Sequence, residues 1–396
     1  MDFTIEEDQI ALQDAVRRFC VRTMGPASLQ VTKPAEQGVD SWPAMAELGL
    51  MGLTFGEDVG GAAQTAVETA LVVDELARYL LAGRYIEISV LCGTLLDRVA
   101  QPAQRSDLLA PLVAGASQPA LALDDAWQDG MPCMTSARFA AGRWLLEGAK
   151  TGVMQAERTD VLLVVATLEE AGSSGEASSS PALFAVPVDA PGVCRSPIAA
   201  LDGHRAACIR LDGVSLEPAA RVDREGTLEY GLSAAINAAQ AALCAERAGI
   251  LAALLQATIE HLKTRQQFGR PLADFQALQH QLADLYIRVE QCRSMAQLAA
   301  MAVDDAGGRP GARGDGREAA AVPAKARALA AAAAYTQEAA LTIGERVIQL
   351  HGAMGMTDEC AVGHFMRRLL VSEARFGSAS EQFRRFGAFE EAGILS

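Results

Sequence analysis

The chain has 396 residues, half of them hydrophobic, and a formal net charge of −15 at pH 7. This acidity argues against nucleic acid or an anionic membrane as a partner, and the length suffices for two or three domains with full cores. The eight cysteines are scattered singly, without a C-x-x-C pair or a histidine spacing suited to zinc. We therefore expect reduced thiols, no metal site and, since no signal-peptide pattern is present, a cytoplasmic protein.

The pattern of the chain predicts a mainly α protein with a central β domain. Residues 1–118 carry apolar side chains at helical spacing. Residues 119–225 contain short β-rich runs separated by Gly, Pro, Asp and Ser, which is typical of a small β-barrel or sandwich. Residues 226–396 return to long helices with short joints and predict an antiparallel four-helix bundle. Two Gly-rich stretches indicate a hairpin tip and a linker, at residues 171–180 and 307–316.

One acidic residue is predicted to be buried. Between residues 230 and 259 the only charged residues are Glu246 and Arg247, and a helix that is apolar nearly all round is a buried helix. Burying a carboxylate is costly unless it is paired or its pKa rises. Two interpretations follow: a base that removes a proton next to a carbonyl group, or an acid that pairs with an arginine or a helix end in the core. A membrane span is disfavoured, because the helix is Ala-rich and has this Glu-Arg pair at its centre.

Two glycine-containing turns end predicted bundle helices. The turn Arg265-Gln266-Gln267-Phe268-Gly269-Arg270-Pro271 combines an arginine suited to phosphate with an aromatic ring suited to a heterocycle. The turn Gln349-Leu350-His351-Gly352-Ala353-Met354-Gly355 lets backbone N–H groups approach a ligand closely. Either string alone is explained equally well by ordinary capping of a helix C-terminus. A polar run that begins at Phe275 and Gln276 opens another bundle helix.

Together, and in this order, these segments resemble the acyl-CoA dehydrogenase family. The resemblance covers nearly the whole chain and includes residues 48–53, Glu57 and the Gly60-Gly61 pair. Within the family, the chain is most similar to the branch of the pimeloyl-CoA dehydrogenase small subunit and of the steroid side-chain acyl-CoA dehydrogenases. Proteins of that branch carry an Ala-Glu-x-x-Gly segment, which corresponds to residues 245–249.

The resemblance implies an N-terminal helical domain, a β-barrel and a C-terminal four-helix bundle. It implies flavin-dependent α,β-dehydrogenation of an acyl-CoA thioester, with FAD between the β domain and the bundle and an electron-transfer flavoprotein as the electron acceptor. The assembly would be a homotetramer or a heterotetramer with a homologous subunit. Arg265 would contact the pyrophosphate, Phe268 would lie near the adenosine, and the second turn would reach the FAD of the adjoining subunit. The implied cofactor-binding residues are Arg265, Phe268, Phe275, Gln276, Gln349, Gly352, Ala353, Gly377 and Ser378.

The chain departs from the family at the catalytic acid. Phe376 stands where the usual Tyr-Glu-Gly-Thr segment has its glutamate, and Ala239 stands at the second known position for the base. Glu246 lies seven residues beyond Ala239, on the same face of the helix and roughly 10 Å along its axis. In the context of the family we therefore favour Glu246 as the base that removes the α-proton.

The β domain also departs from the family. Residues 124–130 replace the usual flavin-binding segment, and Gly152-Val153-Met154 replaces the usual Trp-Ile-Thr. These changes predict weak FAD retention, or dependence on a partner subunit. Two alternatives to a self-sufficient dehydrogenase are thus open: a non-catalytic or half-site partner subunit of a heterotetramer, and an acyl-CoA oxidase.

Overall fold

The computed structural model describes residues 5–25, 40–125, 127–128, 131–132, 134–169, 180–306 and 316–391. Its elements run in the predicted order of helices, strands and helices, which confirms a mainly α fold with a central β region. The hairpin tip and the linker predicted at residues 171–180 and 307–316 lie almost entirely outside the described residues.

The helices before the strands are short, apart from the first. They are α1 (Glu7–Met24), α2 (Trp42–Glu47), α3 (Ala66–Ala77), α4 (Ala82–Tyr85), a π-helical segment (Ile86–Gly93), α5 (Thr94–Val99) and α6 (Pro102–Val113). The helices after the strands are longer, and three of them exceed 30 residues. They are α7 (Leu228–Thr264), α8 (Gln276–Ala306), α9 (Gly316–His351), α10 (Ala361–Glu373) and α11 (Ala379–Glu391).

The strands form one main sheet and two short ribbons. In chain order they are β1 (Ala120–Ala122), β2 (Trp127–Gln128), β3 (Met131–Pro132), β4 (Ser136–Ala140), β5 (Arg143–Met154), β6 (Val161–Leu168), β7 (Pro181–Pro187), β8 (Val193–Ala199), β9 (Arg205–Leu216), β10 (Gln266–Gln267) and β11 (Arg270–Pro271). The seven-stranded main sheet has the order β1-β6-β4-β5-β9-β8, with β7 also paired to β6. The pairs β1–β6 and β4–β6 are parallel and the other ladders are antiparallel.

The chain folds into two compact units. The first, called here the bundle unit, contains residues 1–40, 64–86 and 237–396; the second, called here the sheet unit, contains residues 41–63 and 87–236. The helices that precede the strands are therefore divided between the two units. The domain boundaries predicted from composition, near residues 118 and 225, stay predictions.

The core of the sheet unit is made by one set of strand side chains. Leu146, Val164, Phe184 and Val214 come from four different strands and are each fully buried. Apolar side chains on alternate positions of a strand point to the same face, so neighbouring strands bury them together. Trp144 packs its ring edge-on against Phe184, with ring centroids 5.2 Å apart, and closes this core.

Helix α7 forms the core of the bundle unit, because small side chains allow its neighbours to approach. A Cβ atom added at Gly249 would lie 2.3 Å from the carbonyl oxygen of Asp74 on α3, so only glycine permits this contact. By length and composition α7 is the one helix among the described residues that could span a membrane, but 78% of its most apolar stretch is buried inside the protein. Its apolar surface is thus covered by other parts of the chain, as in a core helix.

Candidate functional site

The carboxylate of Glu246 is bound by a single arginine from another helix. Glu246 on α7 is 1% exposed and Arg368 on α10 is 4% exposed. Glu246 Oε1 accepts a hydrogen bond from Arg368 Nε and Oε2 accepts one from Nη2, each at 2.8 Å. A bidentate pair of this kind is a strong charge-assisted interaction. The acid foreseen from the sequence is therefore buried as expected, and it is paired with an arginine of the core.

A second buried arginine binds the same helix, α10. Arg247 donates from Nη2 to the carbonyl oxygen of Ser372 at 2.6 Å and from Nε to its hydroxyl at 3.3 Å. Burial lowers the pKa of the Arg247 guanidinium below its ordinary value. Two successive residues of α7 thus attach α7 to α10. For Glu246 to accept a proton from a substrate, the substrate would have to reach a lone pair that Arg368 does not use.

The segment where the family has its usual acid is held by two buried amides. Phe376 and Gly377 both have positive φ angles, of 58° and 101°. Gln382 donates to the carbonyl oxygen of Phe376 at 2.9 Å, and Gln337 donates to that of Gly377 at 3.0 Å. Both glutamines are essentially fully buried. Ser378 follows on the surface, where its hydroxyl accepts a bond of 3.4 Å from the backbone N–H of Glu381 at the start of α11. The backbone here is therefore fixed independently of the side chain at position 376.

The segment after α7 is a small hairpin with an exposed tip. The carbonyl oxygen of Arg265 accepts from the N–H of Leu272 at 2.9 Å, and β10 pairs with β11 between them. Phe268 occupies the tip with a φ of 56° and is 88% exposed. Its ring meets that of Phe275 edge-on at 6.0 Å, and Arg270 lies 4.0 Å above the Phe275 ring. The structure therefore brings Phe268 and Phe275 together and leaves the Arg265 side chain exposed.

The segment after α9 also presents its predicted residues on the surface of the chain. Gln349, Gly352 and Ala353 are exposed, as is Gln276 at the start of α8. Gly352 has a φ of 65°, and no atom lies within 4 Å of the position of a Cβ added there. Exposed backbone at a turn of this kind can be approached closely by a ligand or by another subunit.

The bundle unit offers more side chains suited to a dinucleotide than the sheet unit does. The bundle unit offers an exposed arginine, an exposed aromatic ring and accessible backbone. In the sheet unit, Asp125 Oδ1 already accepts from the N–H and hydroxyl of Thr135 and from Lys150 Nζ, at 3.1, 2.8 and 2.7 Å. Gly152, with a φ of 63°, has open space around it, so the sheet unit offers backbone groups. Ala126, Asp129 and Gly130 lie outside the described residues.

The comparisons with known proteins agree with this architecture. The family model described as "Acyl-CoA dehydrogenase, N-terminal domain" matches residues 6–116, and the one described as "Acyl-CoA dehydrogenase, C-terminal domain" matches residues 230–385. The chain thus belongs to the acyl-CoA dehydrogenase family, whose members are FAD-dependent enzymes.

Individual relatives match over nearly their full length. The acyl-CoA dehydrogenase FadE12 of Mycobacterium tuberculosis is 28% identical over 372 residues, which are 92% of this chain and 91% of FadE12. Among solved structures, the ChsE4-ChsE5 complex from M. tuberculosis matches with a TM-score of 0.81 and 24% identity, over 100% of both chains. A glutaryl-CoA dehydrogenase from Mycobacterium smegmatis in complex with FADH2 matches with a TM-score of 0.81 and 20% identity, over 99% of this chain and 96% of its own.

Reasoning from the sequence missed Arg368 as the partner of Glu246. A signal was available: in α10, Arg368 stands at helical spacing among the buried residues Phe365, Leu369 and Ser372. A charged residue on the buried stripe of an amphipathic helix requires a counter-charge in the core. The two glutamines that hold the 376–377 segment left no comparable signal, because amides occur on surfaces and in cores alike.

Proposed function

We propose that this chain is one subunit of an FAD-dependent acyl-CoA dehydrogenase in which a homologous partner subunit supplies the base that removes the α-proton. The observation that carries the proposal is the pairing of both Glu246 oxygens with Arg368. A base must present a lone pair to the proton that it takes, and the lone pairs that Arg368 leaves on Glu246 belong to a carboxylate that is only 1% exposed. The ChsE4-ChsE5 complex, in which two named proteins assemble on this fold, supports a heteromeric arrangement.

In this proposal the chain contributes to flavin binding through the two exposed turns. FAD, when bound, supplies the acceptor for the hydride that leaves the β-carbon of the acyl group. Arg265 would hold the pyrophosphate through its guanidinium and Phe268 would lie against the adenosine. Gln349, Gly352 and Ala353 would reach the FAD of the neighbouring subunit. The remaining members of the proposed site are Phe275, Gln276, Gly377 and Ser378.

The partners follow from the same reaction. An acyl-CoA thioester is the proposed substrate, and an electron-transfer flavoprotein is the proposed electron acceptor. We propose a heterotetramer with a homologous subunit in preference to a homotetramer, because neither of the two alternative positions of the family's base carries an acid here: they hold Phe376 and Ala239. A cytoplasmic location is part of the proposal.

The second candidate function is dehydrogenation by this chain alone, with Glu246 as the base. It is favoured by the burial of this carboxylate in an apolar helix and by the small residues near it, such as Ala242 and Ala245. It requires a bound substrate to reach a lone pair of this buried carboxylate that Arg368 does not use. The contact of Gly249 with Asp74 shows that one such small residue serves the packing of two helices.

The two candidates are separated by the visible spectrum of the purified chain during anaerobic addition of an acyl-CoA mixture. We expect sub-stoichiometric flavin that a desalting column removes, and no bleaching on addition of the thioesters. The matched variant is Glu246→Gln, which keeps the shape of the side chain. A tightly bound flavin band that bleaches in the wild-type chain and not in Glu246→Gln would overturn the partner-subunit proposal in favour of Glu246. Reduced flavin that then reacts rapidly with oxygen would indicate an oxidase.

A further inference from the structure

Two histidines from different helices stack on each other in the bundle unit. His261 lies in the last turn of α7 and His351 is the last residue of α9. Their ring centroids are 4.3 Å apart and their planes are inclined by 22°. His351 is 6% exposed, and its Nε2 lies 3.3 Å from the hydroxyl of Thr258, one helical turn before His261.

Each ring adjoins one of the two exposed turns. The backbone N–H of Arg265 donates to the carbonyl oxygen of His261 at 2.9 Å, so the hairpin begins directly on this residue. Gly352 follows His351 in the chain, and a Cβ added at Gly355 would lie 3.1 Å from the Cβ of His351. The stack is therefore a direct side-chain link between the end of α7 and the end of α9.

The surroundings of the two stacked rings disfavour protonation of either ring. Burial lowers the pKa of His261, and the positive charge of Arg265, the first residue after the same helix, lowers it further. Burial, with His261 as the second cause, lowers the pKa of His351 to about 4. In the turn that follows α9, the residue that packs against His351 is Gly355, which has no titratable group. His364 on α10 is engaged elsewhere, since its Nε2 lies 2.9 Å from the carbonyl oxygen of Asp358. A helix C-terminus favours a cation, so burial and like charge outweigh that preference here.

We propose that His261 and His351 are positioning residues, whose neutral stack holds the Arg265–Pro271 turn and the Gly352–Met356 turn in the conformations from which each contributes to FAD binding. Protonation of one ring opens the stack and releases both turns together. His261 is the less buried ring and takes the first proton. The link between the turns is a property of the chain alone; its effect on FAD rests on the proposed function.

The test is hydrogen exchange of the full purified chain, followed by mass spectrometry of peptides that cover residues 265–272 and 349–357. Rates measured between pH 7.5 and 4.5 are corrected for the intrinsic dependence of exchange on pH. In the wild-type chain we expect protection of both peptides to fall together by at least about tenfold, the factor that one unit of pKa shift supplies. His261→Phe keeps an aromatic ring that cannot take a proton, and it should move this transition to lower pH. His261→Ala should leave both peptides poorly protected already at pH 7.5.

The matched control is His280→Gln, which changes an exposed histidine at the start of α8 and should behave as the wild-type chain does. Equal protection of the wild-type chain at both ends of the pH range would overturn the inference, as would a transition in His261→Phe at the wild-type pH. A second readout is the fluorescence anisotropy of added FAD, which should follow the protection of the two turns. If the exchange results are as expected but FAD binds at no pH, the inference that the stack holds both turns is supported and the proposed function is wrong.

Discussion

The effect of Glu246 on stability depends on the presence of Arg368, and the effect of Arg368 depends on Glu246. Both are removed from water, and the cost of that removal is offset by two bonds of 2.8 Å. Removing one partner of a buried pair leaves an uncompensated charge, whereas replacing both by apolar residues of similar volume is often neutral or stabilising. We therefore expect the loss of either member of the pair to affect the stability of the fold.

We predict that Glu246→Gln lowers the free energy of unfolding by about 3–5 kcal/mol, because Arg368 would remain buried without its counter-charge. The double variant Glu246→Met with Arg368→Met should return to the wild-type value or exceed it. Urea denaturation followed by circular dichroism measures both. The matched control is Glu260→Gln on the same helix, whose side chain is 48% exposed and whose loss should change the value by less than about 0.5 kcal/mol. A Glu246→Gln variant as stable as this control would show that the pair is dispensable.

The residue at position 376 gives a direct test of the partner-subunit proposal. Because Gln337 and Gln382 bind the backbone of this segment, a different side chain can be placed there without releasing the segment. We predict that Phe376→Glu, loaded with FAD, bleaches on anaerobic addition of acyl-CoA thioesters, as the wild-type chain does not. Phe376→Gln has nearly the same shape without the charge and should stay oxidised. Bleaching of both variants, or of neither, would argue against the proposal that this chain lacks only the acid at position 376.

At the scale of elements, α7 packs against α3 at Gly249, where there is no room for a side chain. We predict that Gly249→Ala lowers the free energy of unfolding by about 1–3 kcal/mol, because its Cβ would lie 2.3 Å from the Asp74 carbonyl oxygen and 2.9 Å from the Cβ of Ala77. Gly387→Ala in α11, where nothing lies within 4 Å, should instead be neutral or stabilising by up to about 1 kcal/mol. Thermal unfolding of the two variants side by side measures the difference. Equal effects would mean that α7 and α3 are free to separate.

The long helices could be predicted from the sequence, whereas some strands could not. The buried helix predicted across residues 230–259 lies within the observed Leu228–Thr264, because its apolar run is long and ends at a recognisable turn. Strand β8 was not foreseen, since Arg195, Ser196 and Pro197 give it no apolar alternation; it lies at the edge of the sheet, mostly exposed. For strand β5 the sequence pattern predicts a strand over residues 143–146 only, whereas the strand continues to Met154 through two irregularities in its pairing with β9.

The sequence predicts individual residues of the candidate site better than it predicts the contacts between them. Local patterns identify Glu246 as buried and the two turns as glycine-containing ends of helices. The counter-ion could not be identified in this way, because Arg368 lies 122 residues further along the chain and hydrophobic periodicity carries no information about pairing between helices. The stacking of His261 on His351 could not be predicted for the same reason, because neither histidine is marked out by the sequence pattern of its own helix.

At the scale of the whole molecule, burial decides which thiols can react. Burial raises the pKa of the Cys20 thiol and of the Cys292 thiol to about 12, whereas Cys194 is exposed. Because the thiolate is the reactive form, we predict that iodoacetamide at pH 8 labels Cys194 in the folded protein and leaves Cys20 and Cys292 unlabelled. Peptide mapping by mass spectrometry measures this, and labelling in urea provides the control in which all three react. Rapid labelling of Cys20 or Cys292 without denaturant would reveal opening of the bundle unit.

The separation of 122 residues between Glu246 and Arg368 also has a consequence for synthesis. A ribosome adds about 5–20 residues per second, so α7 is made roughly 6–24 s before its counter-ion exists. Throughout that interval the nascent chain exposes an apolar helix whose central charge has no partner. Helix α7 cannot reach its final environment until α10 has been translated, so the growing chain has to be shielded from aggregation until then.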